Sequence, residues 1–221
     1  MDIIDFSKTN SVINLYMSEL RDKNYQRNRY LFRHNIKRVG EMMAYELSKS
    51  LEYKPKTVTT PLGTLEIPLP KEDLLIATVL RAGLPFHEGF LDVFDHAENA
   101  FVSAYRMYTN REHTEVGVHT EYLAAPSAKG KTLVIVDPML ATGGSMAASI
   151  EALVKTGKPK KIHIACALKP SFMRCFKVAI LLISVAFLGC FIMFFSFKKD
   201  TLRGLDFEFF AVEALENLPL V

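Results

Sequence analysis

The spacing of apolar side chains changes along the chain and predicts different elements in different regions. Residues 11–51 place apolar side chains near helical spacing, which predicts N-terminal helices. Residues 57–68 alternate branched and polar side chains around Pro61-Leu62-Gly63, a pattern typical of a short hairpin or arm at the edge of a fold. The first third of the chain is therefore expected to surround a fold that is built mainly by the residues after it.

Short apolar runs, separated by turns and helical patterns, follow residue 70. Such an alternation predicts an α/β fold with a largely parallel sheet flanked by helices. In sheets of this kind ligands bind beyond the carboxyl ends of the strands, so the residues that directly follow each run are the candidates for chemistry. The predicted strands are residues 74–80, 100–105, 116–123, 132–136 and 161–168.

Composition narrows the class of protein. The chain has 221 residues, 49% of them hydrophobic and 23% charged, which fits one folded domain with an appended segment and excludes disorder. The net charge is +3, too small to indicate a nucleic-acid partner, and the basic residues between 21 and 38 are expected to form a solvated helix face. Three cysteines without a CxxC pair, and an N-terminus without a targeting pattern, predict a cytoplasmic protein.

The chemistry-bearing segment of the sequence follows the strand predicted at residues 132–136. Asp137 comes at the strand's end, a glycine-rich loop follows, and a helical pattern begins at Met146. The start of a helix exposes free backbone N–H groups and the positive end of its dipole, so residues 142–145 are predicted to bind a phosphate. Asp137 is placed where a carboxylate can accept hydrogen bonds from sugar hydroxyls.

Other kinds of site fit the sequence less well. A P-loop is excluded because Ala125 stands where the first glycine belongs and because Gly130-Lys131-Thr132 precedes a strand. The segments 113–115 and 119–121 (both His-Thr-Glu) match the first half of a zinc-deaminase signature, but the Pro-Cys-x-x-Cys half is absent, so no protein-held metal is predicted. The remaining candidates are expected to pack or to lie on the surface: His87, His96 and Cys166.

The string Asp137 to Ser145 (DPMLATGGS) resembles the phosphoribosyl-diphosphate-binding motif of phosphoribosyltransferases, and its DPMLA beginning is similar to that of the uracil phosphoribosyltransferase family. The similarity extends from about residue 10 to 168, with residues 61–63, 80–84 and 105–106 in the family's order. The resemblance implies a glycosyltransferase of pyrimidine salvage, which forms UMP and diphosphate from uracil and phosphoribosyl diphosphate.

The resemblance also implies roles for individual residues. Taken alone, Arg81 after its strand is favoured as an anion ligand, whereas Arg106 is as readily a surface residue. The polar stretch 107–114 that follows Arg106 is interpreted as a flap over the substrate. In the family both arginines would bind the diphosphate. Asp137 would bind the ribose, which makes these three the implied catalytic residues. The implied binding set for phosphoribosyl diphosphate is Arg81, Arg106, Asp137, Pro138, Met139, Leu140, Ala141, Thr142, Gly143, Gly144 and Ser145.

Cofactor and partners follow from the same resemblance. Pro138 stands where many relatives outside the uracil branch carry a second acid, so Mg²⁺ is expected to arrive with phosphoribosyl diphosphate and to be bound largely by substrate oxygens and water. The family commonly forms homodimers, and the sequence leaves activation by GTP open. The expected partners are thus the two small substrates, a second copy of the chain and no nucleic acid.

The resemblance ends near residue 170 and divides the chain into a phosphoribosyltransferase domain (1–170) and an atypical hydrophobic segment (171–221). The family's base-recognition segment, Gly-Leu-Gly-Asp-Ala-Gly, has no counterpart there, so the uracil-binding residues are unassigned. Residues 178–197 carry no formal charge and are long enough to span a bilayer.

Three interpretations of this segment compete: a transmembrane helix, a buried helix or strand pair, and a change of reading frame near residue 170, which is favoured. The alternative function that follows is a catalytically impaired protein, associated with membranes, that binds phosphoribosyl diphosphate without a uracil site.

Overall fold

Four α-helices and nine strands form within residues 2–108, 116–140, 143–169 and 206–213, which the computed structural model describes. Two 3-10 turns, Phe6–Lys8 and Tyr25–Arg27, precede the first two helices. The helices are α1 (Ile13–Arg21), α2 (Arg29–Ser48), α3 (Leu84–Val93) and α4 (Gly144–Val154). The strands are β1 (Asp2–Asp5), β2 (Tyr53–Thr60), β3 (Gly63–Pro70), β4 (Leu74–Leu80), β5 (Glu98–Tyr108), β6 (Val116–Ala124), β7 (Thr132–Val136), β8 (Lys161–Lys169) and β9 (Asp206–Glu213).

Seven of the strands form one sheet, in the order β1-β9-β8-β7-β4-β5-β6. All neighbours run parallel except β5 and β6, which pair antiparallel. The predicted α/β fold with a largely parallel sheet flanked by helices is confirmed. Because parallel strands need crossover connections, the helices between them cover both faces of the sheet.

The alternation of side chains along the central strands builds two cores, one on each face. On β4, Leu74 and Ile76 pack in the cluster that contains the buried side chains of α1, α2 and α3. Leu75 and Ala77 face the opposite side and pack with α4. Successive side chains of a strand point to opposite faces, so a strand that is buried on both sides reads as a continuous apolar run. Burial of each large aliphatic side chain contributes about 1.5–3 kcal/mol.

Helices α2 and α3 touch through their backbones at two glycines. A Cβ added at Gly40 would lie 2.5 Å from the carbonyl oxygen of Phe86, and one added at Gly89 would lie 2.1 Å from that of Lys37. The contact ends in an ion pair, with Lys37 Nζ 2.7 Å from an Asp92 carboxylate oxygen. Because α3 is held this closely, the loop that joins β4 to α3 has a fixed end point.

The hairpin β2–β3 pairs antiparallel in a separate two-stranded sheet, and nearly all its side chains are exposed. Its turn is Pro61-Leu62, between the paired residues Thr60 and Gly63. The arm predicted from residues 57–68 is therefore present and longer than the pattern indicates. Near its base, Glu52 accepts from Lys160 Nζ at 2.7 Å and lies 3.6 Å from Lys71 Nζ, which ties the arm to the sheet.

A strand from the C-terminal segment, β9, lies inside the sheet. It pairs parallel with β8 on one side and with β1 on the other. Neither β1 nor β9 is predicted from the sequence. The apolar run 178–197 lies outside the described residues. Within the C-terminal segment (171–221), the structure describes residues 206–213. Among the helices of the described parts of the chain, none is long and apolar enough to cross a membrane.

Candidate active site at the carboxyl edge of the sheet

The predicted site residues that the structure describes lie at one edge of the sheet. Strands β4, β5, β7 and β8 run in the same direction, so their carboxyl ends meet there. Asp137 follows β7, Arg81 follows β4, and Arg106 lies near the end of β5. The pairing of Thr78 with Val136 places the ends of β4 and β7 side by side. A ligand at this edge would meet the segments after both strands.

The first half of the loop after β7 stays attached to β8. The N–H of Asp137 donates to Ala165 at 3.1 Å, that of Leu140 donates to Leu168 at 3.0 Å, and that of Leu168 donates back to Pro138 at 2.9 Å. Pro138 and Leu140 are buried, whereas 61% of Met139 is exposed. Pro138 and Leu140 thus serve to fix the backbone, and their side chains point into the protein.

Asp137 is a partly buried carboxylate with one backbone donor. Burial raises its pKa from 3.8 to about 6, opposed by a hydrogen bond that its Oδ1 accepts from the N–H of Met139 at 3.1 Å. No other donor within the described residues reaches this carboxylate. The group is therefore mainly ionised at neutral pH, and its second oxygen can accept a hydrogen bond from a ligand.

Gly143 is the residue at which the loop after β7 enters helix α4. Its φ of 79° lies in the left-handed region, which glycine adopts without steric cost, and its carbonyl accepts the first hydrogen bond of α4 from Ala147 N at 2.9 Å. The N–H groups of Gly144, Ser145 and Met146 then face out of the first turn without partners in the helix. Together with the dipole they favour an anion at this point. Ala141 and Thr142 lie outside the described residues.

The loop after β4 brings a cation to the same edge. Arg81 is exposed, follows a cis Leu80–Arg81 peptide bond, and makes no ion pair within the described parts of the chain. Its carbonyl accepts from Leu84 N at 3.3 Å, while Gly83 N donates to Val79 at 3.2 Å, so the loop is a tight turn into α3. A guanidinium on such a turn is suited to a diphosphate, since it offers several N–H donors in one plane.

Arg106 is described through its backbone, which pairs with Val118 of β6. Its side chain lies outside the described part of the structure, and so do residues 109–114 of the predicted flap. The role implied for Arg106 stays a prediction.

The other candidates from the sequence are placed away from this edge or in the core. His87 is 2% exposed, its Nε2 lies 2.8 Å from Asn99 Oδ1, and burial lowers its pKa, which is the packing role expected of it. His96 is exposed, and Cys166 is buried in β8. The described residues contain no group of three His, Cys, Asp or Glu side chains that could hold a metal ion.

An acid at the end of a parallel strand, followed by a left-handed glycine and the start of a helix, is the arrangement expected of a phosphoribosyltransferase. The fold is shared with the AQ2163 protein of Aquifex aeolicus, with a TM-score of 0.73 and 23% sequence identity over 96% of this chain and 86% of that one.

Sequence comparison gives the family. The family model for uracil phosphoribosyltransferase matches residues 7–172. A curated uracil phosphoribosyltransferase of Porphyromonas gingivalis is 51% identical over 165 residues, 75% of this chain and 76% of that protein. Another, of Methanothermobacter thermautotrophicus, is 38% identical over 133 residues, 59% of this chain and 60% of that protein. The chain belongs to the uracil phosphoribosyltransferase family, a family of glycosyltransferase enzymes.

Proposed function

We propose that the protein transfers the phosphoribosyl group of phosphoribosyl diphosphate to N1 of uracil and so forms UMP and diphosphate in pyrimidine salvage. The single observation that carries the proposal is the geometry of residues 137–140 and 143–146, which place a carboxylate at the end of β7 and free N–H groups at the start of α4. These groups match a ribose and its 5′-phosphate, while the cation at Arg81 matches the diphosphate at the other end of the same molecule.

Each part of the substrate is assigned to a segment of the edge. The 5′-phosphate is assigned to residues 142–145, where Thr142 and Ser145 add hydroxyl donors to the backbone N–H groups. The ribose hydroxyls are assigned to Asp137, which accepts from them when it is ionised. The diphosphate is assigned to Arg81 and Arg106, and each charge-assisted hydrogen bond is expected to contribute about 1.5–3 kcal/mol.

The reaction breaks the bond between C1 of the ribose and the diphosphate oxygen and forms a bond between C1 and N1 of uracil. The electron pair of the broken bond leaves on the diphosphate, and the proton of uracil N1 is released. Positive charge develops on the ribose and negative charge on the leaving group, so catalysis consists of positioning and charge stabilisation. Arg81 and Arg106 act at the leaving group, and Asp137 holds the ribose in line.

Mg²⁺ is proposed to enter with phosphoribosyl diphosphate. The donors that this edge offers fit such an ion: Asp137 supplies a single carboxylate, its neighbour Pro138 supplies none, and the diphosphate and water complete an oxygen shell. Bound in this way, Mg²⁺ would neutralise charge on the diphosphate.

The test is formation of labelled UMP from labelled uracil, phosphoribosyl diphosphate and Mg²⁺ by the full chain. We expect UMP and diphosphate in equal amounts. Arg81→Ala should lower kcat/KM for phosphoribosyl diphosphate at least tenfold, whereas Arg29→Ala, an exposed arginine on α2, should leave it unchanged. Binding of phosphoribosyl diphosphate without formation of UMP would contradict the proposal and favour the impaired binding protein instead.

The assembly, regulation and location of the enzyme are further parts of the proposal. We infer a homodimer in the cytoplasm, with GTP as a candidate effector. Light scattering of the purified chain distinguishes a dimer from a monomer, and initial rates measured with and without GTP test the effector.

A further inference from the structure

Thr78 is a buried polar residue in an otherwise apolar strand. It lies on β4, two residues before the strand ends, and only 1% of it is exposed. Its Oγ1 donates to the carbonyl oxygen of Val136 at 3.3 Å. Valine has nearly the same shape, so packing alone does not require a hydroxyl in this position. The hydroxyl is therefore expected to have a role of its own.

The partner of this hydroxyl is the last residue of β7. Val136 directly precedes Asp137, so the hydrogen bond holds the backbone at the point where the loop for the sugar and its phosphate begins. A hydrogen bond this close to the loop limits how far the end of β7 can move relative to β4.

The same hydroxyl oxygen also touches the loop after β4. A Cβ added at Gly83 would lie 2.0 Å from Thr78 Oγ1 and 2.7 Å from the carbonyl oxygen of Val79. The backbone of Gly83 therefore packs against the Thr78 hydroxyl, with no room for a side chain between them. Gly83 closes the turn that carries Arg81, so one oxygen atom contacts the base of both loops.

We infer that Thr78 is a positioning residue that sets the distance between the diphosphate segment, residues 81–83, and the start of the sugar-phosphate loop, residues 137–140. The inference rests on the proposed function, because phosphoribosyl diphosphate is the ligand that joins the two segments. Its two anionic ends are linked through one ribose, so both loops must be held at a matching separation, and small displacements are costly when two anchors act on one molecule.

The consequence is specific to a ligand that spans both loops. Diphosphate alone contacts the first loop, and ribose 5-phosphate alone contacts the second. Each fragment can follow its own loop when the two loops shift against each other. Phosphoribosyl diphosphate cannot follow both loops at once. Loss of the Thr78 hydroxyl should therefore weaken binding of the whole substrate more than binding of either fragment.

The experiment measures binding of phosphoribosyl diphosphate, diphosphate and ribose 5-phosphate, each with Mg²⁺, to the full chain by calorimetry. Thr78→Val keeps the volume and removes the hydroxyl, and we expect it to weaken the whole substrate about tenfold and each fragment less than about twofold. Thr78→Ser keeps the hydroxyl and should restore binding to within about twofold. If Thr78→Val does not fold, Thr78→Cys provides the comparison, because a thiol is a weaker donor in the same place.

A matched control lies at the other end of the sheet. Thr132 on β7 is also 1% exposed, and its hydroxyl donates to a carboxylate oxygen of Glu72 at the amino edge. Thr132→Val should lower the melting temperature without changing the ratio of whole-substrate to fragment affinity. Equal weakening of substrate and fragments by Thr78→Val, or no weakening, would overturn the inference while the proposed function stands. Failure of the wild-type chain to bind phosphoribosyl diphosphate would overturn the proposed function itself.

Discussion

Replacing Asp137 by asparagine is expected to stabilise the folded protein at alkaline pH while it removes activity. Burial raises the pKa of this carboxyl from 3.8 to about 6, so its ionised form is less favourable in the folded state than in the unfolded chain. In the wild type, the N–H of Met139 donates a hydrogen bond to Asp137 Oδ1 at 3.1 Å. The Oδ1 of an asparagine can accept the same hydrogen bond. The substitution therefore removes the charge and leaves the contact.

The size and pH dependence of the effect follow from the pKa. Below pH 3.8 the carboxyl is neutral in both states and carries no penalty. As the pH rises through about 6 the penalty reaches its full value, because the folded-state pKa is the higher of the two. The pKa rises by about two, and each pKa unit corresponds to about 1.4 kcal/mol. The expected gain in the free energy of unfolding is therefore at most about 3 kcal/mol at pH 8 and about half of that at pH 5.

Urea unfolding of Asp137→Asn and wild type at pH 5 and pH 8 tests this reasoning. Far-ultraviolet circular dichroism is the signal, because the chain contains no tryptophan. Asp73→Asn is the control: this residue is exposed and makes no ion pair within the described residues, so the substitution should change stability equally at both pH values. If the advantage of Asp137→Asn is the same at pH 5 and pH 8, or if the variant is less stable at pH 8, burial does not raise the pKa of Asp137.

Four further outcomes are expected. The kcat/KM for phosphoribosyl diphosphate should fall about tenfold per unit below pH 6 in the wild type, as Asp137 takes up its proton, and should stay low and flat in Asp137→Asn. Gly143→Ala and Gly130→Ala, at φ values of 79° and 75°, should each cost about 1 kcal/mol in urea unfolding. Only Gly143→Ala should raise KM, because Gly130 precedes β7 and so lies at the opposite edge of the sheet from the site. Gly89→Ala should lower stability by about 1–3 kcal/mol in a thermal melt, and an unchanged melt would contradict the close contact of α2 with α3. Removal of divalent cations with EDTA should abolish UMP formation, and Mg²⁺ should restore it without a change in melting temperature.

Strands buried on both faces are the elements that the sequence predicts best. The predicted boundaries at residues 74–80 and 132–136 agree with β4 and β7, because an apolar run bounded by polar residues marks both ends. The edge strand β1 and its neighbour β9 were not predicted, since each depends on a partner far away in the chain. Distant pairing leaves little trace in local spacing.

The site shows the same division between local and distant signals. Asp137, the left-handed Gly143 and the start of α4 follow one another in sequence, so the phosphate-binding loop could be predicted from one string. The contact between Thr78 and Gly83 could not, because it depends on a turn that folds back onto the strand it has just left. One signal was available: Thr78 is the sole hydroxyl in the apolar run LLIATVL.

The pairing of β1 with β9 has a consequence for synthesis on the ribosome. Residues 2–5 are synthesised about 200 residues before the strand they join, residues 206–213. At translation rates of about 5–20 residues per second, the early segment would wait about 10–40 s for its neighbour. This part of the sheet therefore cannot form before β9 has been made, and until then the backbone of residues 2–5 is unpaired and open to chaperones and proteases.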